Sequence, residues 1–180
     1  MHNDIKAVLL TEDKITARIK EMGQQIAADY KDKDLVVIIL LKGAAWFATD
    51  LTRAIDMPLR VDFMVASSYG DGTSTSGSVK VKLDISEDIK GKDVLLIDDI
   101  IDSGVTFAAI SQMLRQHKPA SLKTVALCDK AERRINGLQA DYVGFNIPDE
   151  FVVGYGLDYA GDYRNLPYIG VLKPSVYARK

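Results

Sequence analysis

The apolar and polar residues of the chain recur with helix-like spacing in some segments and with strand-like spacing in others. The spacing predicts a helix over residues 11–30, where Thr11 is a suitable N-cap and acidic residues follow in the first turn. The apolar residues of this helix recur every three or four positions, and they are Ile15, Ile19, Met22 and Ile26. A second helix is predicted over residues 44–55, with Phe47 and Leu51 facing the core.

Continuous apolar runs predict strands that are covered on both faces. The clearest run is residues 35–41, L-V-V-I-I-L-L, and residues 94–97 and 122–127 predict similar strands. Shorter strands are predicted at residues 142–147 and 168–172. Because helix-like segments separate several of these strands, the pattern predicts an α/β fold.

Residues 59–67 and 78–85 alternate apolar and polar positions instead, as in V-K-V-K-L-D from Val79. This alternation predicts two antiparallel strands with one face in water. The segment between them, S-Y-G-D-G-T-S-T-S-G at residues 68–77, is too flexible in composition for a tight hairpin. On composition alone it is a surface loop in which Tyr69 is the only large residue.

Composition limits the possible classes of protein. The chain of 180 residues is 47% hydrophobic and 27% charged, which suits a single globular domain over residues 1–180. A net charge of −2 gives no general attraction to nucleic acid or to anionic membranes, so any phosphate site must be local. The single cysteine, Cys128, excludes an internal disulfide and fits a reducing compartment. The N-terminus has no signal-like apolar region, so a cytoplasmic protein is expected.

The segment with the most chemical information is residues 94–106, V-L-L-I-D-D-I-I-D-S-G-V-T. We expect Asp98 and Asp99 to end the strand, and a turn of small residues to lead into a helix marked by Phe107, Ile110 and Leu114. A strand that enters a helix through such a turn directs free backbone N–H groups at one point, which makes an anion site. The carboxylates cannot bind phosphate, so they suggest either a metal or a polyhydroxylated group beside it. The alternative is an ordinary helix cap with solvated aspartates.

Two further segments place basic residues where strands end. Lys42 and Gly43 form a second possible anion site, although a lone lysine and turn glycine are as often structural. Lys130 follows a predicted strand, and open α/β sheets bind ligands at that edge. Arg133 and Arg134 come next, and such a pair is ordinarily a solvated basic patch.

The segment F-V-V-G-Y-G-L-D-Y at residues 151–159 is rich in aromatics and glycine. It is not a dinucleotide fingerprint, because Tyr159 occupies the third glycine position and no helix follows. The chain has no phosphate-binding P-loop and no G-x-S-x-G elbow, and its two histidines, His2 and His117, lie at unpromising positions. The remaining candidates are two anion loops rich in backbone N–H groups, four carboxylates, a lysine at a sheet edge and an aromatic side chain that could stack on a ligand.

Residues 94–106 resemble the binding signature for 5-phosphoribosyl-1-pyrophosphate (PRPP) of type I phosphoribosyltransferases. The L-K-G at residues 41–43, the pair Ser68-Tyr69 and the 151–159 segment narrow the resemblance to hypoxanthine-guanine phosphoribosyltransferases, over about residues 35–173. The resemblance implies the type I phosphoribosyltransferase fold, which has a mostly parallel, twisted sheet flanked by helices. It places the core at about residues 30–150, a small hood at both chain ends and a flexible antiparallel lid at 68–77. It also implies purine salvage, in which Mg²⁺-dependent transfer to hypoxanthine or guanine gives IMP or GMP and pyrophosphate.

The resemblance also assigns roles to residues. The 5′-phosphate and ribose are expected to contact Asp98, Asp99, Asp102, Ser103, Gly104, Val105 and Thr106. The pyrophosphate is expected to contact Lys42, Gly43, Ser68, Tyr69 and Arg134, and Mg²⁺ to contact Asp98, Asp99 and Asp158. The purine is expected to contact Lys130, Phe151, Val152 and Asp158. Asp102 is the expected general base, Lys130 the donor to purine O6, and Tyr69 part of the catalytic lid.

Several points stay open on the sequence alone. Asp98 stands where many relatives have glutamate, and Val105 replaces a polar or basic residue of some relatives. In this family the peptide bond into the lysine, here Leu41–Lys42, is often cis. A homodimer or homotetramer is expected. The alternative functions are a non-catalytic nucleotide-sensing regulator on the same fold, and a phosphoribosyltransferase for xanthine or another base.

Overall fold

The structure, a computed structural model, describes residues 1–68 and 79–178. Helices and strands alternate along the first half of this part of the chain, and strands predominate in the second. The strands are β1 (Ile5–Leu10), β2 (Leu35–Leu41), β3 (Arg60–Ser68), β4 (Val79–Leu83), β5 (Asp93–Ile101), β6 (Ser121–Asp129), β7 (Tyr142–Asn146), β8 (Val152–Val153) and β9 (Ile169–Leu172). The helices are α1 (Glu12–Asp29), α2 (Ala45–Ala54), α3 (Val105–Gln116) and the short α4 (Pro174–Tyr177), with a 3₁₀ turn at Ala131–Arg133.

The main sheet has six strands in the order β4-β3-β2-β5-β6-β7. All neighbours are parallel except β4, which pairs antiparallel with β3. The parallel register aligns Ile39 of β2 with Ile97 of β5, so these strands end at the same edge of the sheet. The predicted α/β class with a mostly parallel sheet is therefore confirmed.

Helices cover both faces of this sheet. Thr11 caps α1, since its Oγ1 accepts a hydrogen bond from the N–H of Lys14 at 3.4 Å, and the predicted apolar stripe of this helix is buried. α1 and α2 share one apolar cluster with Val37 and Ile39 of β2. α3 packs in a second cluster with the alternate residues of the strands, such as Val36 and Ile38. The sheet is thus buried on both sides, as continuous apolar strands require.

A second sheet, in the order β1-β9-β8, joins strands from both ends of the chain. β1 and β9 pair antiparallel, with Ile5 opposite Leu172. This is the region in which the hood is predicted. None of the described helices is both long and apolar enough to cross a membrane.

The expectation that Asp98 and Asp99 end their strand is wrong. β5 continues to Ile101, because its pairing with β6 extends through Asp98 opposite Ala126 and Ile101 opposite Asp129. The two carboxylates are therefore carried on a strand rather than on a loop. The predicted lid, apart from Ser68 at the end of β3, lies outside the described residues.

Candidate active site

The turn between β5 and α3 has the geometry of an anion site. Gly104 is the N-cap of α3 and has a φ of 83°, a left-handed conformation that favours glycine. The first N–H groups of α3 lack intrahelical acceptors and lie at the positive end of the helix dipole. A cavity of about 200 Å³ opens here. It is lined by Asp98, Ile100, Ile101, Asp102, Ser103, Gly104, Thr106 and Phe107.

The surroundings of the neighbouring carboxylates Asp98 and Asp99 disfavour their charged forms. Burial raises the pKa of Asp98 well above its ordinary value, and the adjacent charge of Asp99 raises it further. Burial also raises the pKa of Asp99. Backbone N–H groups compensate in part, since that of Asp99 donates to Asp98 and that of Ile100 donates to Asp99, at 2.9 and 2.8 Å. A bound cation or hydroxyl donors would stabilise the charged pair.

The Lys42–Gly43 turn lies directly against these carboxylates. The Leu41–Lys42 peptide bond is cis, and the Lys42 side chain is exposed. A Cβ added to Gly43 would lie 1.7 Å from Oδ2 of Asp99, so any larger residue here would displace the Asp99 carboxylate. The second anion loop predicted from the sequence thus meets the first one at Asp99.

Arg164 also belongs to this site, and sequence reasoning missed it. Its Nη2 lies 2.6 Å from Oδ1 of Asp158, and its Nη1 donates to the carbonyl of Gly156 at 2.5 Å. The same Nη1 would lie 3.4 Å from a Cβ on Gly43. The guanidinium is therefore fixed between the Gly43 turn and Asp158, where it can neutralise an anion. A single arginine in a segment of turns carries no sequence pattern that would have found it.

The guanidinium of Arg134 already contacts other groups of the protein. It is nearly buried, forms an ion pair with Asp129, and donates from Nη1 to the carbonyl of Asp102 at 3.0 Å. The contact of Arg134 with pyrophosphate stays a prediction. The contacts that Arg134 makes in the structure hold the turn between β5 and α3 in place. Arg133 is half-exposed and lies beside the carboxylates of Asp102 and Asp149, at 2.9 and 3.3 Å.

A second cavity of about 320 Å³ combines apolar and charged side chains suited to a flat heterocycle. Lys130 is only 6% exposed, and its Nζ lies 3.7 Å from Oδ1 of Asp149, beyond hydrogen-bond distance. Phe151 is exposed and stacks on Tyr177 at 5.0 Å between ring centroids. The lining residues are Asp99, Ile100, Asp102, Lys130, Arg133, Phe151, Val152, Leu157 and Asp158.

Asp102 lines both cavities, together with Ile100. Arg133 Nε lies 2.9 Å from Asp102 Oδ1, but not in the direction of a hydrogen bond. This oxygen is buried and accepts no hydrogen bond from residues 1–68 or 79–178. A carboxylate at the junction of a phosphate site and a heterocycle site is suitably placed to take a proton from a ligand.

Comparison with known proteins agrees with this geometry. The model of the phosphoribosyl transferase domain matches residues 8–160. The chain belongs to the phosphoribosyltransferase family. It is 52% identical to the hypoxanthine-guanine phosphoribosyltransferase of Staphylococcus aureus over 178 residues, 99% of each chain. It superposes on a crystal structure of S. aureus hypoxanthine phosphoribosyltransferase with a TM-score of 0.96 and 52% identity, covering 98% of this chain and 96% of the other. The predicted type I phosphoribosyltransferase fold is thereby confirmed.

Another group of relatives is much longer. The chain is 51% identical to the bifunctional protein TilS/HprT of Listeria innocua over 178 residues. The match covers 99% of this chain but 28% of that relative. The chain therefore spans about a quarter of the length of these phosphoribosyltransferase relatives and almost the full length of the staphylococcal ones.

The phosphoribosyltransferase fold brings most of the predicted site residues to one edge of the sheet. Val152 lies on β8 beside the heterocycle cavity. Asp158 uses both carboxylate oxygens, one toward Arg164 at 2.6 Å and one for the N–H of Gly161 at 2.7 Å. Ser68 is the last residue of β3, and Tyr69 lies outside the described residues.

Proposed function

We propose that the protein transfers the 5-phosphoribosyl group of PRPP to N9 of hypoxanthine or guanine, forming IMP or GMP and pyrophosphate. The observation that carries this proposal is the position of Asp102, which lines both the anion cavity and the heterocycle cavity. The function that the S. aureus relative is named for supports the same substrates.

The proposed roles follow from the contacts. The turn at Ser103, Gly104, Val105 and Thr106 binds the 5′-phosphate through backbone N–H groups, and Asp98 and Asp99 hold the ribose hydroxyls. N9 of the base attacks C1′ of the ribose while the bond from C1′ to the pyrophosphate oxygen breaks. Asp102 accepts the proton that the base loses from N7, as general base.

The base is recognised at two positions. Phe151 stacks on the ring, and the backbone of Val152 contacts its edge. Lys130 donates to O6, because its ammonium has donors only and an oxygen at that position is an acceptor. An amino group at the same position would set donor against donor.

The residues present fit a Mg²⁺ ion that arrives with the substrate. No group of three or more histidine, cysteine, aspartate or glutamate residues able to hold a metal lies in the described part of the chain. Mg²⁺ commonly binds through one or two carboxylates and substrate phosphates, and keeps several waters. Asp98, Asp99 and Asp158 are the residues that would contact it, directly or through water. When bound, it would neutralise charge on the leaving pyrophosphate.

Cations of the protein complete the pyrophosphate site. Lys42 and the N–H of Gly43 are predicted contacts, and the position of Arg164 between Gly43 and Asp158 supports adding it. Ser68 and Tyr69 stay predicted contacts within a lid that would exclude water from the oxocarbenium-like transition state.

The assembly proposed is a homodimer or homotetramer of single-domain chains in the cytoplasm. An exposed apolar face supports self-association. Phe63 is 43% exposed, Val61 39% and Leu83 50%. The register places these three side chains on one side of β3 and β4, and we call them the β3–β4 face. Apolar surface of this kind is typical of protein interfaces.

The proposal is tested by incubating the protein with PRPP, Mg²⁺ and hypoxanthine and measuring IMP and pyrophosphate. We expect both products in equal amounts, and none when excess chelator removes the metal. Full activity in chelator would contradict the metal site. Binding of PRPP without product from any base would favour the nucleotide-sensing regulator. Product from xanthine alone would favour a phosphoribosyltransferase for xanthine.

A further inference from the structure

The turn that forms the anion site is held from behind by three consecutive residues. Nη1 of Arg134 donates to the carbonyl of Asp102 at 3.0 Å, and the N–H of Ile135 donates to the carbonyl of Ser103 at 3.3 Å. Nδ2 of Asn136 donates to the carbonyl of Gly104 at 2.9 Å. Residues 134–136 thus bind, in order, the three carbonyls of residues 102–104.

This order determines where the turn's N–H groups point. In a planar trans peptide the carbonyl and the following N–H point in opposite directions. The only cis bond in residues 1–68 and 79–178 is Leu41–Lys42, so the peptides of the turn are trans. Holding the three carbonyls on the side of residues 134–136 therefore directs the N–H groups of Ser103, Gly104 and Val105 to the other side, where an anion would bind.

The packing between the two segments is close. A Cβ added to Gly104 would lie 2.7 Å from Oδ1 of Asn136 and 2.8 Å from Cδ of Arg134. The glycine is required by this contact as well as by its left-handed conformation.

Each supporting side chain is itself held in place. The N–H of Leu138 donates to Oδ1 of Asn136 at 3.2 Å, which leaves the amide NH₂ to face the Gly104 carbonyl. The guanidinium of Arg134 is oriented by its ion pair with the buried Asp129. The Gly104 carbonyl also accepts the first hydrogen bond of α3 from Ala108 at 3.0 Å, so Asn136 occupies its second acceptor position.

We infer that Asn136 and Arg134 are positioning residues for the ribosyl 5′-phosphate, and that they act on it by holding the backbone of the phosphate turn. The inference rests on the proposed phosphoribosyl transfer for the identity of the anion. It predicts that losing the Asn136 contact weakens ligands that carry a 5′-phosphate and leaves the base unaffected.

Asn136 is the cleaner of the two to test, because Arg134 pairs with a buried carboxylate and its replacement would disturb folding. Asn136→Ala removes the donor. Asn136→Asp keeps the shape and the acceptor for Leu138, removes the donor and adds a negative charge, so the effect of losing the donor is read from Asn136→Ala. Asn146→Ala and Asn146→Asp are matched controls. Asn146 lines the cavity of about 440 Å³ behind the turn together with Arg134 and Asp129.

The measurements are the Kd of ribose 5-phosphate, the KM values for PRPP and hypoxanthine, and the thermal midpoint of each variant. Losing one hydrogen bond should weaken ribose 5-phosphate and raise the KM for PRPP by about three- to tenfold. In both Asn136 variants the KM for hypoxanthine should stay near wild type and the thermal midpoint should fall only slightly, since a single hydrogen bond is lost. The Asn146 variants should match wild type throughout.

An unchanged Kd for ribose 5-phosphate in both Asn136 variants would overturn the inference, as would equal increases in both KM values, which indicate a general structural defect. Failure of the wild type to bind ribose 5-phosphate would also contradict it. If the wild type binds ribose 5-phosphate but forms no nucleotide, the proposed function fails, and the comparison of Kd values still decides the role of Asn136.

Discussion

At the scale of single residues, the proposed chemistry depends on Asp102, which lines both cavities and whose Oδ1 accepts no hydrogen bond from the described residues. Asp102→Asn keeps the shape of the side chain and removes the proton acceptor. Since general base catalysis contributes about 10²–10⁴-fold, kcat should fall by that factor while the KM for PRPP changes little. Steady-state kinetics check this.

Glu132→Gln is the matched control, because Glu132 is an exposed carboxylate next to Arg133 and lines neither cavity. Its kcat should stay close to that of the wild type. Near-normal turnover in Asp102→Asn would remove Asp102 from the role of base.

A second prediction at this scale concerns Arg164. Arg164→Gln removes the guanidinium between Gly43 and Asp158, so pyrophosphate should bind about tenfold or more weakly, as expected for loss of a charge-assisted contact of about 1.5–3 kcal/mol. The KM for hypoxanthine should change much less. Arg53→Gln, on the exposed face of α2, should leave both values unchanged. Equal effects of the two substitutions would show that Arg164 has no specific role.

At the scale of helices and strands, local patterns were sufficient where a clear apolar pattern extends through the whole element. The stripe of α1 and the apolar run of β2 gave both elements within a residue of their observed bounds. β5 was predicted too short, since its length depends on pairing with β6, which local sequence does not record. β1 and β8 were missed because they are defined by long-range pairing with β9, and β8 has only two residues.

The same distinction between local patterns and long-range contacts applies to the residues of the site. Residues carried on a strong local motif, such as Asp102 and Lys130, were predicted and lie in one region. Arg164 and Asn136 were not predicted, because each acts through a tertiary contact, with Asp158 in one case and Gly104 in the other. No spacing along the chain identifies such partners.

A prediction at the element scale concerns Asp62, a buried residue of β3. Its carboxylate accepts hydrogen bonds from the backbone of Ser86 and Glu87, which follow β4 in the chain. Burial raises its pKa, but the N–H groups of Glu87, Phe63 and Ser86 donate to it, and the net effect is a lowered pKa. The carboxylate therefore stabilises the fold above its unfolded pKa of about 3.9, and this contribution is lost as pH falls through the lower folded value.

Asp62→Asn should reduce the free energy of unfolding by about 1–3 kcal/mol at neutral pH. The difference from wild type should shrink as the pH falls through the folded pKa, because the wild-type carboxyl is then protonated as well. Denaturant unfolding at several pH values measures this. Asp84→Asn, on the exposed side of the same region, should have little effect. A pH-independent loss would assign the effect to packing instead.

At the scale of the whole molecule, the β3–β4 face should hold copies of the chain together. Phe63→Glu places a charge in that face and should lower the molecular mass found by light scattering to that of a monomer, since burying an unpaired charge is costly. Val8→Glu replaces another exposed apolar residue, on β1, and should leave the assembly intact. A wild type that is monomeric would contradict the proposed interface.

The most direct test of the proposed function is the value of kcat/KM for hypoxanthine, guanine, xanthine and adenine with PRPP and Mg²⁺. Lys130 is buried and has donors only, so an adenine would leave it unpaired against the amino group at position 6. Sites built on such a hydrogen bond discriminate by about 10⁴-fold. We predict hypoxanthine and guanine well ahead of xanthine, with adenine essentially unused. A kcat/KM for adenine within about tenfold of that for hypoxanthine would contradict the role of Lys130 and the recognition of 6-oxopurines.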